Sequence, residues 1–394
     1  MCSKYLFLFC LLVCIAEALP EQKSFNVIDY GAIADGKTDN TEAFLKAWSD
    51  ACNWDGNAST FFIPKGTFML KSVVFKGPCK SWSVFRIEGV LRAPIDPSLF
   101  TDKKWLNFRY VDHLSVNGGG TLDGQGSATR QICKNNPKCQ TLFTTMEFDF
   151  VTNGSVENVY SVDSKGGHFI MFACENMTFT NLTLSSPVTS RNTDGIKIGH
   201  SKEINIKSVN IGTGDDCIAM ISGTRNVQIS DVYCGPGHGI SVGSMGKNDG
   251  EENIQDIVIK NCTFNGTSNG LRIKTWASPL KETLYASNFS YEDITMNNVQ
   301  QPIVIDQHYC PLRNCDPKED SYVQISNVTY KNIQGIGSTD IAANFNCSKI
   351  KPCENIIVEN INFWRYGVKG KEQTNFCSHV HGSSYGTQIP PSCI

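Results

Sequence analysis

A short unit, a polar residue or two followed by the pattern h-x-h-x-x-h-x-h with h apolar, recurs along this chain and limits what it can fold into. It is read as ENMTFTNLTL (175–184), KEINIKSVNI (202–211), RNVQISDVYC (225–234), NIQDIVIKNCTF (253–264), NFSYEDITM (288–296), YVQISNVTYKNI (322–333) and ENIIVENINF (354–363). Taking Met177, Ile204, Val227, Ile257, Phe289, Val323 and Ile356 as equivalent, the spacings are 27, 23, 30, 32, 34 and 33 residues. A second strand follows most units: DGIKIG (194–199), DDCIAM (215–220), HGISVG (238–243), NGLRIKT (269–275) and QPIVIDQ (301–307). Short β-branched runs broken by Gly and Asn are strands. A repeat of this length holding several strands and no helix predicts an all-β, single-domain, right-handed parallel β-helix of about ten coils. An antiparallel sandwich would need hairpin turns every 8–12 residues instead of two interleaved strand types in register.

One amphipathic helix is expected, over Thr41–Ala51, with Ala43, Ala47 and either Phe44 or Trp48 on its buried face and Asp39 or Thr41 as N-cap. It would cap the open end of the solenoid, where an unpaired strand edge has to be hidden.

The ends and the cysteines point to a compartment. Lys4, the apolar run Leu6 to Ala16, and Glu17-Ala18-Leu19 have the order of a signal peptide over residues 1–18, leaving 19–394 as the mature chain. The run is too short to cross a bilayer, so no membrane association is expected. Of 17 Cys, three fall in that segment and 14 remain to pair, as suits an oxidising compartment. Nine N-x-S/T sequons, at Asn57, Asn153, Asn176, Asn181, Asn261, Asn265, Asn288, Asn327 and Asn346, fit a secreted, extracellular chain. A net charge of −3 argues against a nucleic-acid partner, which requires a basic face. A bridge between Cys217 and Cys234 would tie neighbouring coils, and Cys52–Cys79, Cys347–Cys353 and Cys377–Cys393 are further pairings proposed from proximity.

Equivalent positions on successive coils stack about 4.8 Å apart. Asp194 opens one strand of the second type, Asp215 and Asp216 the next, and His238 the one after. Three carboxylates and an imidazole therefore converge within roughly 10 Å. One coil further on, Arg272 and Lys274 alternate with Leu271 and Ile273, so both cations face outward. Glycosidic hydrolysis needs one protonated carboxyl and one ionised carboxylate, and crowded carboxylates push their pKa values apart. The adjacent cations suit a sugar acid, because Arg grips a carboxylate at two points and Lys adds a point charge.

In this order and spacing, NTDG (192–195), GDDC (214–217), GPGHGI (235–240) and RIKT (272–275) resemble the four signature motifs of polygalacturonases, glycoside hydrolase family 28. The likeness runs from FNVIDYGAIADGKTDNT at 25–41 to about residue 365. It implies inverting hydrolysis of α-1,4 linkages in polygalacturonan (pectin) by a monomer of the cell wall that uses no metal and no cofactor. It further implies that Asp215 is the general acid and that Asp194 and Asp216 hold and activate the water. His238 would support protonation of the acid, Arg272 and Lys274 would bind the galacturonate carboxylate, Tyr309 would line the subsite, and Asn192 would help order the site. Plant members usually read Ser-Pro-Asn-Thr-Asp, whereas Arg191 stands here in place of the Pro. GIKIG after the first motif and the Tyr309–Cys315 insertion resemble the exo-acting, pollen-type subgroup, with endo action as the alternative. A pectate lyase would instead use Ca²⁺ on oxygen ligands, and a non-catalytic wall-binding solenoid would have no reason to keep three carboxylates in its groove.

Overall fold

The computed structural model describes residues 22–134, 139, 143–311, 315–316, 319–365 and 373–394. The expected signal peptide lies outside them. The strands pair in parallel, each with its counterpart one coil before and one coil after. The result is a right-handed parallel β-helix. Each coil supplies a strand to three ladders, as in 175–180, 202–207 and 225–230 of the first, 183–185, 210–212 and 233–234 of the second, and 196–199, 218–220 and 240–245 of the third. The third ladder has eleven strands, from 73–76 to 374–378.

Because each inward residue lands on its equivalent in the next coil, the core is a set of side-chain columns. One runs through Phe61, Phe85, Val116, Val156, Phe179, Ile206, Ile229, Ile259, Tyr291, Tyr330 and Val358. Rings in this column stack face to face at about the inter-strand spacing, 4.7 Å for Phe61–Phe85 and 4.9 Å for Tyr291–Tyr330.

The register differs from the sequence expectation at one coil. Phe289 pairs with Val328, which pairs with Ile356, while Val323 lies opposite Leu284. The apolar pattern itself repeats every five residues here (Val323, Val328, Ile333), so a slip of one unit preserves it. What distinguishes Val328 from Val323 is the left-handed residue that precedes it within the first-ladder segment. Asn288, Asn327 and Asn355 adopt positive φ of 63°, 55° and 53°, and Asp293, Asn332 and Asn360 do the same five residues on. Asn tolerates this left-handed conformation better than other non-Gly residues. Their amides then stack: Asn327 Nδ2 donates to Asn288 Oδ1 at 3.1 Å and Asn355 Nδ2 to Asn327 Oδ1 at 2.8 Å.

The helix forms as expected, extended to Thr41–Asn53 (α1), and it packs on the first coils. Both Phe44 and Trp48 are buried, and Trp48 makes edge contacts with Phe61, Phe75 and Phe108. Asn40 occupies the cap position, but its side chain is bonded to Ile33, and Asp39 accepts from the Thr41 backbone instead. A second helix, Gly126–Cys133 (α2), was not expected; the Asp163 carboxylate, from a neighbouring coil, accepts from the Ser127 N–H in its first turn. All four proposed disulfides are present, with Cys133–Cys139 and Cys310–Cys315 in addition. Full pairing of the 14 is not realised: Cys174 and Cys262 are free, and burial pushes both thiols up to about 12.

Trp48→Ala removes the indole that closes the first coil's aromatic core. A loss of about 3–5 kcal/mol is expected, read as a lower urea midpoint, with Leu45→Ala on the exposed face of α1 as a near-neutral control.

Candidate active site

The third ladder opens with the turns that carry the acidic motifs. Ile196 pairs with Ile218 and Ile218 with Ile240, which puts Asp194, Asp216 and His238 at equivalent positions on three successive strands. The backbone enforces this stacking: Gly195 N donates to Asp216 O at 2.9 Å and His238 N to Asp215 O at 2.8 Å. Gly214 and Gly235 let the turns approach, since a Cβ on either would lie within about 2 Å of a backbone oxygen of a neighbouring turn. Cys217–Cys234 pins the same two coils immediately beside the carboxylates.

Asp216 is the most enclosed acid of the site. Its Oδ1 accepts from Arg272 Nη2 at 2.6 Å and Ser241 Oγ at 3.0 Å, and its Oδ2 from Lys274 Nζ at 2.8 Å. Both cations thus grip a protein carboxylate, and Leu271 and Ile273 point into the core as the alternation requires. Ser241 was not singled out from the sequence. It is the register partner of Arg272 and also accepts from Arg272 Nε at 3.0 Å, so it fixes the guanidinium plane.

Asp215 and Asp194 differ in environment. Burial pushes the Asp215 carboxyl up, but the His238 hydrogen bond at 3.2 Å, the His238 charge and the Asp216 N–H at 2.8 Å outweigh it and lower its pKa to about 2. Asp194 is pushed the other way. Burial raises it, Lys197 at 2.5 Å opposes, and the charges of Asp215 and Asp216 add to the rise. Lys197, the outward residue of GIKIG, was also missed; alternation along that strand is the signal that could have found it. Asn192 contributes through its backbone: at φ 57° its N–H points to Asp215 Oδ2 at 3.2 Å. Tyr309 lies across the Lys274 ammonium, 5.4 Å from ring centre to Nζ, edge-on to Trp276. Each residue expected at the site from the sequence is found in this cluster or bonded to it.

Among the described residues, Asp215, Asp216 and His238 are the group able to hold a metal, with donor atoms within 4.8 Å of one another. A divalent ion there would have to displace Arg272 and Lys274 from Asp216, so the donor set fits a cation poorly.

Residues 52–387 match the model of glycosyl hydrolases family 28, and the chain belongs to that family. It is 42% identical over 386 residues to a polygalacturonase of Gossypium barbadense, covering 97% of this chain and 94% of that relative. It is equally 42% identical to an exopolygalacturonase of Platanus acerifolia, over 93% of this chain and 96% of that one. The fold is shared with an endo-xylogalacturonan hydrolase from Aspergillus tubingensis at a TM-score of 0.76, 21% identity, and 93% and 99% coverage of the two chains.

Replacing His238 by Gln removes the cation while the burial of Asp215 persists, so the Asp215 carboxyl should titrate above about 2. Carboxyl ¹³C chemical shifts against pH read this directly. The sign for stability follows: a depressed carboxyl stabilises the fold above its ordinary value of 3.8, and that contribution fades as pH falls toward about 2. His238→Gln should therefore shrink the difference in thermal midpoint between pH 5 and about pH 2.

Proposed function

We propose that the protein is a secreted, monomeric polygalacturonase that hydrolyses α-1,4-galacturonosyl linkages of pectin with inversion and releases galacturonic acid from chain ends. The observation that carries the hydrolase reading is the stacked Asp194, Asp216 and His238 with Asp215 between them, in a chain of family 28. The exo mode is favoured by the similarity to the Platanus exopolygalacturonase. Six disulfides support passage through an oxidising compartment.

In this mechanism the acid is the Asp215–His238 pair rather than Asp215 alone. His238 and the Asp216 N–H hold the Asp215 carboxyl low, so its proton is supplied through His238. A proton on His238 moves along the 3.2 Å hydrogen bond to Asp215 as the glycosidic oxygen takes one up, and the sugar's leaving group departs protonated. Asp194, with its raised pKa, is the stronger base and removes the proton from the attacking water. Asp216 positions that water while Arg272 and Lys274 offset its charge, and both cations remain close enough to meet the substrate carboxylate as well. Ionised Asp194 and a protonated acid pair must coexist, which predicts a bell-shaped, acidic pH profile.

Asp215→Asn should lower release of reducing ends from polygalacturonate by about 10²–10⁴-fold, assayed well below the variant's own thermal midpoint. Undiminished release would remove Asp215 from the acid role. A product time course separates the modes: monomer from the first minutes means exo action, and mixed oligomers mean endo. Unsaturated product absorbing in the ultraviolet, or loss of activity on chelation, would mean a lyase.

A further inference from the structure

The third ladder carries a second set of features on the N-terminal side of the catalytic carboxylates. Tyr110, Phe150, Phe172 and His200 form a continuous row along the solenoid axis, with ring centres 5.0, 5.6 and 5.2 Å apart. The row is exposed, at 47%, 42% and 41% for Tyr110, Phe150 and Phe172. Tyr110, Phe150 and His200 hold positive φ of 59°, 54° and 50°, where most non-Gly left-handed positions of the solenoid hold Asn or Asp. A bulky ring in the left-handed region is strained.

Beside the row lies a cleft of about 360 Å³ lined by Ile170, Met171, Phe172 and Ile221. Each of its three cations, Lys104, Arg109 and Lys197, is paired with a carboxylate. Lys104 pairs with Glu147 at 2.8 Å and Asp149 at 2.6 Å, and Arg109 pairs with Asp149 at 2.9 Å. Lys197 lines the same cleft and bonds Asp194, so the cleft is continuous with the catalytic centre. A polyanion residue entering it would find three cations already matched by three carboxylates, Glu147 and Asp149 in the lining and Asp194 next to it. An uncharged sugar would find apolar walls and aromatic faces at about one ring per coil, suited to the C–H faces of a pyranose.

We propose that this cleft and aromatic row bind methyl-esterified galacturonosyl residues of pectin next to the bond being cut. The proposal rests on the pectin-hydrolase reading and adds a preference within it: charged sugar at the catalytic cations, uncharged sugar on the N-terminal side.

The test compares kcat/KM of the full chain on de-esterified and partly methyl-esterified oligogalacturonides of equal length. In the Phe150→Leu/Phe172→Leu variant, which keeps apolar volume and loses the ring faces, the ratio esterified to de-esterified should fall about tenfold, chiefly through KM on the ester. Glu147→Gln, which unbalances the cleft by one positive charge, should lower the same ratio by improving the de-esterified substrate instead. Titration of Asp215→Asn with esterified and de-esterified pectin reads binding without turnover, and the esterified chain should bind more tightly. An unchanged ratio in both variants, a proportional loss on both substrates, or a shift confined to xylose-bearing galacturonan overturns the proposal. Absence of any hydrolysis by the native protein would instead count against the hydrolase reading, and the titration would still decide the ester preference.

Discussion

Parallel hydrogen bonding between successive coils, at about 4.8 Å, is the constraint on which the rest of this molecule depends. Each strand has partners only in the coils before and after it, so a residue's environment is set largely by its two equivalents. Inside, that makes columns of Phe, Val, Ile and Tyr, with rings stacked at the strand spacing. At left-handed positions on the surface it makes ladders in which each Asn amide bonds its equivalent on the next coil. Outside, it brings together three carboxylates and an imidazole from three separate turns.

The same spacing creates an electrostatic problem that the site resolves unevenly. Asp194, Asp215 and Asp216 are crowded into two adjacent strands, and their mutual repulsion is relieved by separate partners: Lys197 for Asp194, His238 for Asp215, and Arg272 with Lys274 for Asp216. One cation is insufficient to offset the burial of Asp194, whereas a hydrogen-bonded imidazole and a backbone N–H suffice for the less buried Asp215. Carboxyls of like chemistry thereby acquire opposite tendencies, Asp194 raised and Asp215 lowered. The neighbouring cleft shows the alternative outcome, in which Lys104, Arg109 and Lys197 are each paired with a carboxylate and the rest of the lining is apolar.

Much of the fold could be read from the chain because a solenoid turns three-dimensional neighbours into a sequence period. Asp194, Asp216 and His238 were placed together by spacing alone, and Cys217–Cys234 followed from where those residues stand. The slip at Val323 has the opposite origin. The apolar pattern repeats within a coil as well as between coils, so hydrophobicity cannot choose between Val323 and Val328, and the left-handed Asn327 before Val328 does. Helix α2 escaped notice because its N-terminal N–H is capped by Asp163, a residue of another coil. Ser241 and Lys197 escaped because each is an ordinary outward residue until its partner on the adjacent strand is known.

The sequence by itself determined the architecture, the handful of acids that converge and the family they resemble, since all three are properties of period and spacing. Tertiary structure alone decided which carboxyl is raised and which is lowered, that Arg272 and Lys274 grip Asp216, and that Cys174 and Cys262 stay unpaired. It also decided that the charges around Glu147 and Asp149 cancel. The physical reason is range: a period reports which residues are one coil apart, but burial, hydrogen-bond direction and the pairing of long side chains depend on angstrom-scale positions that no spacing in the chain records.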